Sequence, residues 1–167
     1  MNKTWDQKLL EELELLFTEM GMEAYVQENS GRNVLTLEYT DAFPAEDADL
    51  SIVHLTEDST ALSLLITVAS GLDRNASAAV YSMLPFLNQL LTVGHFGLME
   101  ENGYFYYSYT TLIDETIDRE MLMKLISTAL TIAESTAAQA AAITAPVIHG
   151  EQTAAEQMNR VNPITQF

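Results

Sequence analysis

A chain of 167 residues, 48% apolar and 19% charged, has the composition of a single globular domain, large enough to bury about 70% of its unfolded surface. It contains no cysteine, which excludes a disulfide framework, a thiolate nucleophile and a Cys-ligated metal. Twenty-four acidic residues against seven basic ones give a net charge of −17, a field that repels phosphate backbones and anionic lipid and so argues against nucleic acid and membrane as partners. The same charge serves solubility, and it attracts basic segments of another protein.

The N-terminus, Met-Asn-Lys-Thr-Trp-Asp-Gln, has no apolar signal core. The greasiest run, Ala61 to Leu72, is interrupted by Ser63, Thr67 and Ser70 and falls short of the ~20 residues of a membrane span. The expectation is a cytoplasmic protein. Thr4 followed by Gln7 reads as a capping box. Leu9, Leu13, Leu16 and Met20 then recur at helical spacing, and Gly21 ends the segment.

From Met22 the period falls to two. Strands are expected over Glu23 to Glu28 and Val34 to Tyr39, with a turn at Asn29-Ser30-Gly31-Arg32. An acidic loop, Asp41 to Asp49, follows with Pro44 inside it. Two more strands, Leu50 to Thr56 and Thr60 to Ala69, are joined at Glu57-Asp58-Ser59. A second helix from about Ala76 to Thr92 carries a wide stripe of Val80, Met83, Leu84, Phe86, Leu87, Leu90 and Leu91, with Pro85 expected to kink or restart it.

Val93 to Ile113 is a hairpin pattern around Glu101-Asn102-Gly103, where Asn-Gly suits a type I′ turn. Its second arm places Tyr104, Phe105, Tyr106, Tyr107 and Tyr109 on both faces, so one face must cover something besides the core. Asp114, Glu115, Thr116 and Asp118 offer caps for a third helix, Arg119 to about Ile143, which Pro146 should stop. The order α-β-β-β-β-α-β-β-α gives an α+β fold: a twisted, mostly antiparallel sheet with helices packed on one side. Residues 1–145 are expected to form the domain, and 146–167 a polar tail, mobile or loosely docked, with Ile164 and Phe167 among its few apolar residues.

No catalytic constellation is present in the spacing. His54, His95 and His149 stand apart from any nucleophile motif, so the chain is not expected to be an enzyme. Asp41, Glu46, Asp47 and Asp49 lack the spacing of a calcium loop and read as a solvated acidic loop. Gly94 and Gly97 lead into a strand and fit no phosphate loop. The tyrosines could stack bases, but no basic residue lies between Arg74 and Arg119 to support it. No cofactor or metal is expected.

The first helix, the strand block, the Leu-Pro-Phe-Leu-Asn-Gln-Leu helix with Asn88, and the Gly-His-Phe-Gly-Leu…Asn-Gly-Tyr hairpin resemble the type III secretion chaperone-like fold in its YbjN-type branch, a family of bacterial sensory transduction regulators. The resemblance covers about 120 residues by order and pattern. It implies a non-catalytic homodimer that binds another protein. The dimer contact would fall on Val80, Leu84, Leu87 and Leu91, and the partner-binding surface on Leu64, Ile66, Tyr104 and Tyr106. The wide apolar stripe of the second helix supports the dimer contact independently. Pro85, the strand near Tyr25 and the Ala-rich end depart from the pattern and leave a monomer open. An alternative is a small-molecule sensor using the hairpin 94–113, which requires a pocket of roughly 300 Å³ beneath Tyr104 to Tyr109.

Overall fold

The structure, a computed structural model, describes residues 4–41, 43–57, 59–114 and 116–161. Helix α1 (Trp5–Glu19) buries Leu9, Leu10, Leu13 and Phe17; of the expected stripe, Leu9 and Leu13 are buried, Leu16 is half-buried, and Met20 is exposed just past the helix end. Thr4 is the N-cap residue, but its side chain makes no capping bond, and Gln7 reaches forward to Glu11 at 3.4 Å. The expected capping box is not formed. At the other end Gly21 takes φ +83°, and the Met22 N–H donates to the Phe17 carbonyl at 2.9 Å, satisfying an orphan acceptor of the last turn.

The remaining elements are β1 (Glu23–Asn29), β2 (Arg32–Glu38), β3 (Asp47–Thr56), β4 (Ser59–Ala69), α2 (Arg74–Gln89), β5 (His95–Met99), β6 (Tyr104–Ile113), α3 (Arg119–Ile148) and α4 (Ala154–Val161). The strands form one sheet in the order β1-β2-β3-β4-β6-β5, antiparallel at every step. Hairpins account for most of this order. Between β4 and β6 the chain detours through α2 and the edge strand β5.

The two-residue turn with positive φ at both positions is Ser30-Gly31 (φ +53° and +80°), between the paired Asn29 and Arg32. The Asn102-Gly103 turn is different. Met99 pairs with Tyr104, so the loop has four residues, closed by bonds from Asn102 N–H to Met99 O (3.3 Å) and Gly103 N–H to Glu100 O (3.4 Å). Gly103 alone of the two has positive φ, at +61°. Docking sets this shape: the Gly103 carbonyl accepts from Leu72 N–H at 3.2 Å, and a Cβ there would stand 2.4 Å from the Leu72 carbonyl oxygen.

Strand alternation divides the sheet into two faces. Leu35, Leu50, Leu64 and Tyr109 lie in one cross-strand row, and Leu37, Ala48, Ile66, Tyr107 and Phe96 in the next; nearly all are buried, and all pack into one core under the helices. Each fully buried leucine or isoleucine there contributes about 1.5–3 kcal/mol of transfer free energy. Helix α1 covers β1 and β2, α3 covers β4 and β6, and α2 leans on β5 and α3. Helices therefore pack on one side, as the α+β reading expects.

Helix α2 is continuous through Pro85 and is capped by Asp73, whose carboxylate accepts from Ala76 N–H at 2.8 Å. Helix α3 is capped by Asp118 through Glu120 and Met121, while Asp114 instead accepts from Thr116 in a local turn (2.8 Å); Glu115 lies outside the described residues. The stop expected near Ile143 does not occur. Pro146 sits in the last turn of α3, where it removes one hydrogen bond only two residues before the helix ends at Ile148. Within the expected tail, Ala154–Val161 forms α4 against α2 and α3. Gln157 is buried there and donates to the Ile143 carbonyl at 2.7 Å. Ile164 and Phe167 lie outside the described residues.

Candidate functional site

The face of the sheet opposite the helices carries three register rows. The first is Glu23–Glu38–Asp47–Thr67–Tyr106–Gly97, the second Tyr25–Thr36–Asp49–Leu65–Ser108–His95, and the third Gln27–Val34–Ser51–Ser63–Thr110. Val53, Ala61 and Leu112 continue it toward the far end. One half is thus acidic and the other mixed apolar and hydroxyl. Leu112 is 67% exposed and Met99 48%, and Tyr104 is also exposed.

A hydrogen-bond chain holds the acidic half. Gln27 Nε2 donates to Thr36 Oγ1 (3.0 Å), which donates to Asp49 Oδ1 (2.6 Å), and the Tyr25 hydroxyl donates to Glu38 (2.9 Å). Burial pushes the Asp47 carboxyl above the usual range, against a lowering bond from the Thr67 side chain; Asp49, Glu46 and Glu38 push it up further. The bond to Glu38 raises the Tyr25 hydroxyl in the same way.

At the other end Gly97 sits directly opposite Tyr106, whose ring occupies the space a Cβ would need, at 2.4 Å. A cross-strand aromatic covering a glycine is a recurrent way of holding an edge strand. His95 meets the Tyr106 ring edge-on, with centroids 6.3 Å apart.

The residues expected to bind partners are not brought together. Tyr104 and Tyr106 lie on the open face, but Leu64 and Ile66 are 0% exposed beneath the helices. Their assignment to a partner surface is corrected: the pairing of Ile66 with Tyr107, and not with Tyr106, sends them to the core side. The dimer contact divides similarly. Val80 and Leu87 are buried in the chain's own core against α3, and Leu84 and Leu91 remain half-buried. A cavity of about 230 Å³ lies beside these last residues, lined by Leu87, Leu91, Val93, Phe96, Ile132 and Ile143.

Under the hairpin the space is filled. Phe105 and Tyr107 are fully buried and pack on Phe96 with ring centroids 5.6 and 5.4 Å away. A cleft of about 560 Å³ does exist at the hairpin's turn, lined by Leu72, Arg74, Tyr81, Glu100, Glu101 and Asn102, but Tyr104 to Tyr109 take no part in it. The pocket that a sensor built on those tyrosines requires is therefore replaced by packed rings.

The histidines remain apart: His54 Nδ1 lies 3.2 Å from Thr60 Oγ1, and His149 is the C-cap residue of α3. Among the described residues no three His, Asp or Glu side chains are grouped to hold a metal ion, and no helix is long and apolar enough to cross a membrane. Of the expected acidic loop, Asp47 and Asp49 belong to β3 and face outward. The signal was in the sequence: Asp47-Ala48-Asp49-Leu50-Ser51-Ile52 alternates with period two, which puts Ala48, Leu50 and Ile52 inside.

No curated protein matches the chain. Among solved structures it is similar to "Crystal structure of YbjN, a putative transcription regulator from E. coli", with 13% identity, TM-score 0.52, 80% of this chain and 91% of that one covered. It is also matched to "an uncharacterized protein from Methanothermobacter thermautotrophicus", with 14% identity, TM-score 0.46, and 84% and 96% covered. The first likeness shows the fold. The family model described as "YbjN: Putative bacterial sensory transduction regulator" matches residues 9–141, and the chain belongs to that family.

Proposed function

We propose that this chain is a non-catalytic, protein-binding regulator of the bacterial cytoplasm, chaperone-like in action, that takes its partner on the open face of the sheet. One observation carries the reading: the helices pack on one side, leaving the other face with Glu23, Glu38, Asp47 and Asp49 on β1 to β3, exposed Met99 and Tyr104 at one end of the β5–β6 pair, and exposed Leu112 at the other end of β6. A polypeptide that sets lysine or arginine beside apolar side chains complements such a surface in both charge and area. The partner's charge speeds encounter with a chain of net charge −17.

A homodimer through α2 is part of the same reading. It has to use the large apolar side chains that α2 and its C-terminal extension leave wholly or partly accessible, Tyr81, Leu84, Phe86, Leu90 and Leu91. Affinity capture from the native host tests the partner surface. Wild type and a Ser127→Asp control on the exposed side of α3 should retain the same co-purifying protein, and Leu112→Asp and Tyr106→Ala should lose it. Equal capture by all four would overturn the reading.

A further inference from the structure

Glu23, Glu38 and Asp47 stand directly opposite one another on three adjacent strands. Like charges in directly opposed cross-strand positions are destabilising, and this row has two such pairs in succession. We propose that the row is an acid-responsive clamp: its repulsion loosens the β1–β2–β3 end of the sheet at neutral pH, and loss of one charge on acidification tightens it.

Hydrogen bonds from Tyr25 and Thr67 offset part of this repulsion, and among the described residues no lysine or arginine stands beside the row. On β3, Asp49 lies two residues along on the same face, and Glu46 immediately precedes Asp47. Across from Asp47 on β4 is Thr67, followed by Tyr106 on β6; Tyr25 of β1 is bonded to Glu38. On the helix side the nearby group is Tyr39, whose hydroxyl is held by Glu134 of α3, and Glu14 of α1 accepts from Val26 N–H. The one lysine or arginine on this face among the described residues is Arg32, at the far end of β2 from Glu38.

Asp47 is the member whose charge its surroundings disfavour, because it is half-buried and has Asp49, Glu46 and Glu38 around it. The sign follows from linkage. A carboxyl whose folded pKa lies above its unfolded value costs stability at neutral pH, and that cost is removed as pH falls through the folded pKa. The clamp does not depend on what the face binds.

Denaturant unfolding followed from about pH 7.5 down to about pH 4 tests it. At the higher pH, Asp47→Asn should raise the folded-to-unfolded ratio several-fold, and Glu38→Gln should do the same. Asp47→Asn should lose most of the wild-type gain on acidification, and Glu38→Gln a smaller part of it. Glu57→Gln, which removes the same charge at the opposite end of β3, should leave that gain intact. Wild-type pH dependence in both row variants, or an equal effect from Glu57→Gln, would overturn the clamp. A carboxyl-carbon NMR titration of the wild type decides the matter without any variant: Asp47 should titrate above the ordinary aspartate range, and an ordinary midpoint would overturn the proposal.

Discussion

Asn88 behaves toward Phe96 as an additional strand would. Its Oδ1 accepts from the Phe96 N–H at 2.7 Å, and its Nδ2 donates to the Phe96 carbonyl at 3.1 Å. One amide thus satisfies both backbone groups of a residue on the edge strand β5 and ties that strand to the end of α2. Edge strands present unpaired backbone groups that invite wrong pairing, and this contact closes part of the edge.

Asn88→Ala should therefore cost about 1–3 kcal/mol, the effect of leaving two partly buried backbone groups without partners. Asn88→Asp should not rescue the loss, because it keeps the acceptor but turns a carboxylate on the Phe96 carbonyl. Urea unfolding measures both.

Gly97 and Tyr106 form a second testable pair. Gly97→Ala brings a Cβ to 2.4 Å from the ring and forces Tyr106 to swing away, at about 1–3 kcal/mol. In the double variant with Tyr106→Ala the space is already free, so the two losses should fall well short of adding. A double-mutant cycle with no coupling would mean that the ring does not cover the glycine in solution.

Leu87→Asp and Leu112→Asp separate the two sides of the molecule. Leu87 is 1% exposed, so a charge there should unfold the chain, seen as loss of the far-ultraviolet circular dichroism signal. Leu112→Asp should stay within about 0.5 kcal/mol of wild type, as an exposed substitution does.

The Tyr39 hydroxyl donates to Glu134 at 2.7 Å, joining the end of β2 to the middle of α3 across 95 residues of sequence. Tyr39→Phe leaves the carboxylate without that donor and should cost about 1–3 kcal/mol at neutral pH. Burial, and then the bond to Glu134, raises the Tyr39 hydroxyl above the ordinary tyrosine range. A raised folded pKa means that this stabilisation is complete below about pH 10 and declines above it. The gap between wild type and variant should accordingly be constant up to about pH 10 and narrow beyond.

Element order and most strands were legible because burial on one face leaves a period-two signature, as in Leu62, Leu64, Ile66 and Val68. Which face stays open was not. In β6 aromatic residues occupy both alternations, so composition cannot say whether Tyr106 or Tyr107 points inward; the pairing of Tyr107 with Ile66 decides it, and pairing is a property of the assembled sheet. The same ambiguity placed Leu64 and Ile66 on the wrong surface. Helix α2 was ambiguous in a different way: its wide stripe read as a contact for a second chain, and α3, α4 and β5 of the same chain cover much of it. Helix α4 has a mostly polar composition and is held by Ala154 and Met158 packed against the core and by the bond from Gln157 to the Ile143 carbonyl; its one local signal is the capping box of Thr153 and Glu156.

Site-specific photo-cross-linking in living cells addresses the central claim most directly, with a benzophenone side chain placed in turn at positions 106, 112 and 81. The open sheet face predicts adducts to another polypeptide from Tyr106 and Leu112, and none to that polypeptide from Tyr81 on α2. Capture of that polypeptide from Tyr81 alone, with positions 106 and 112 silent, would contradict it.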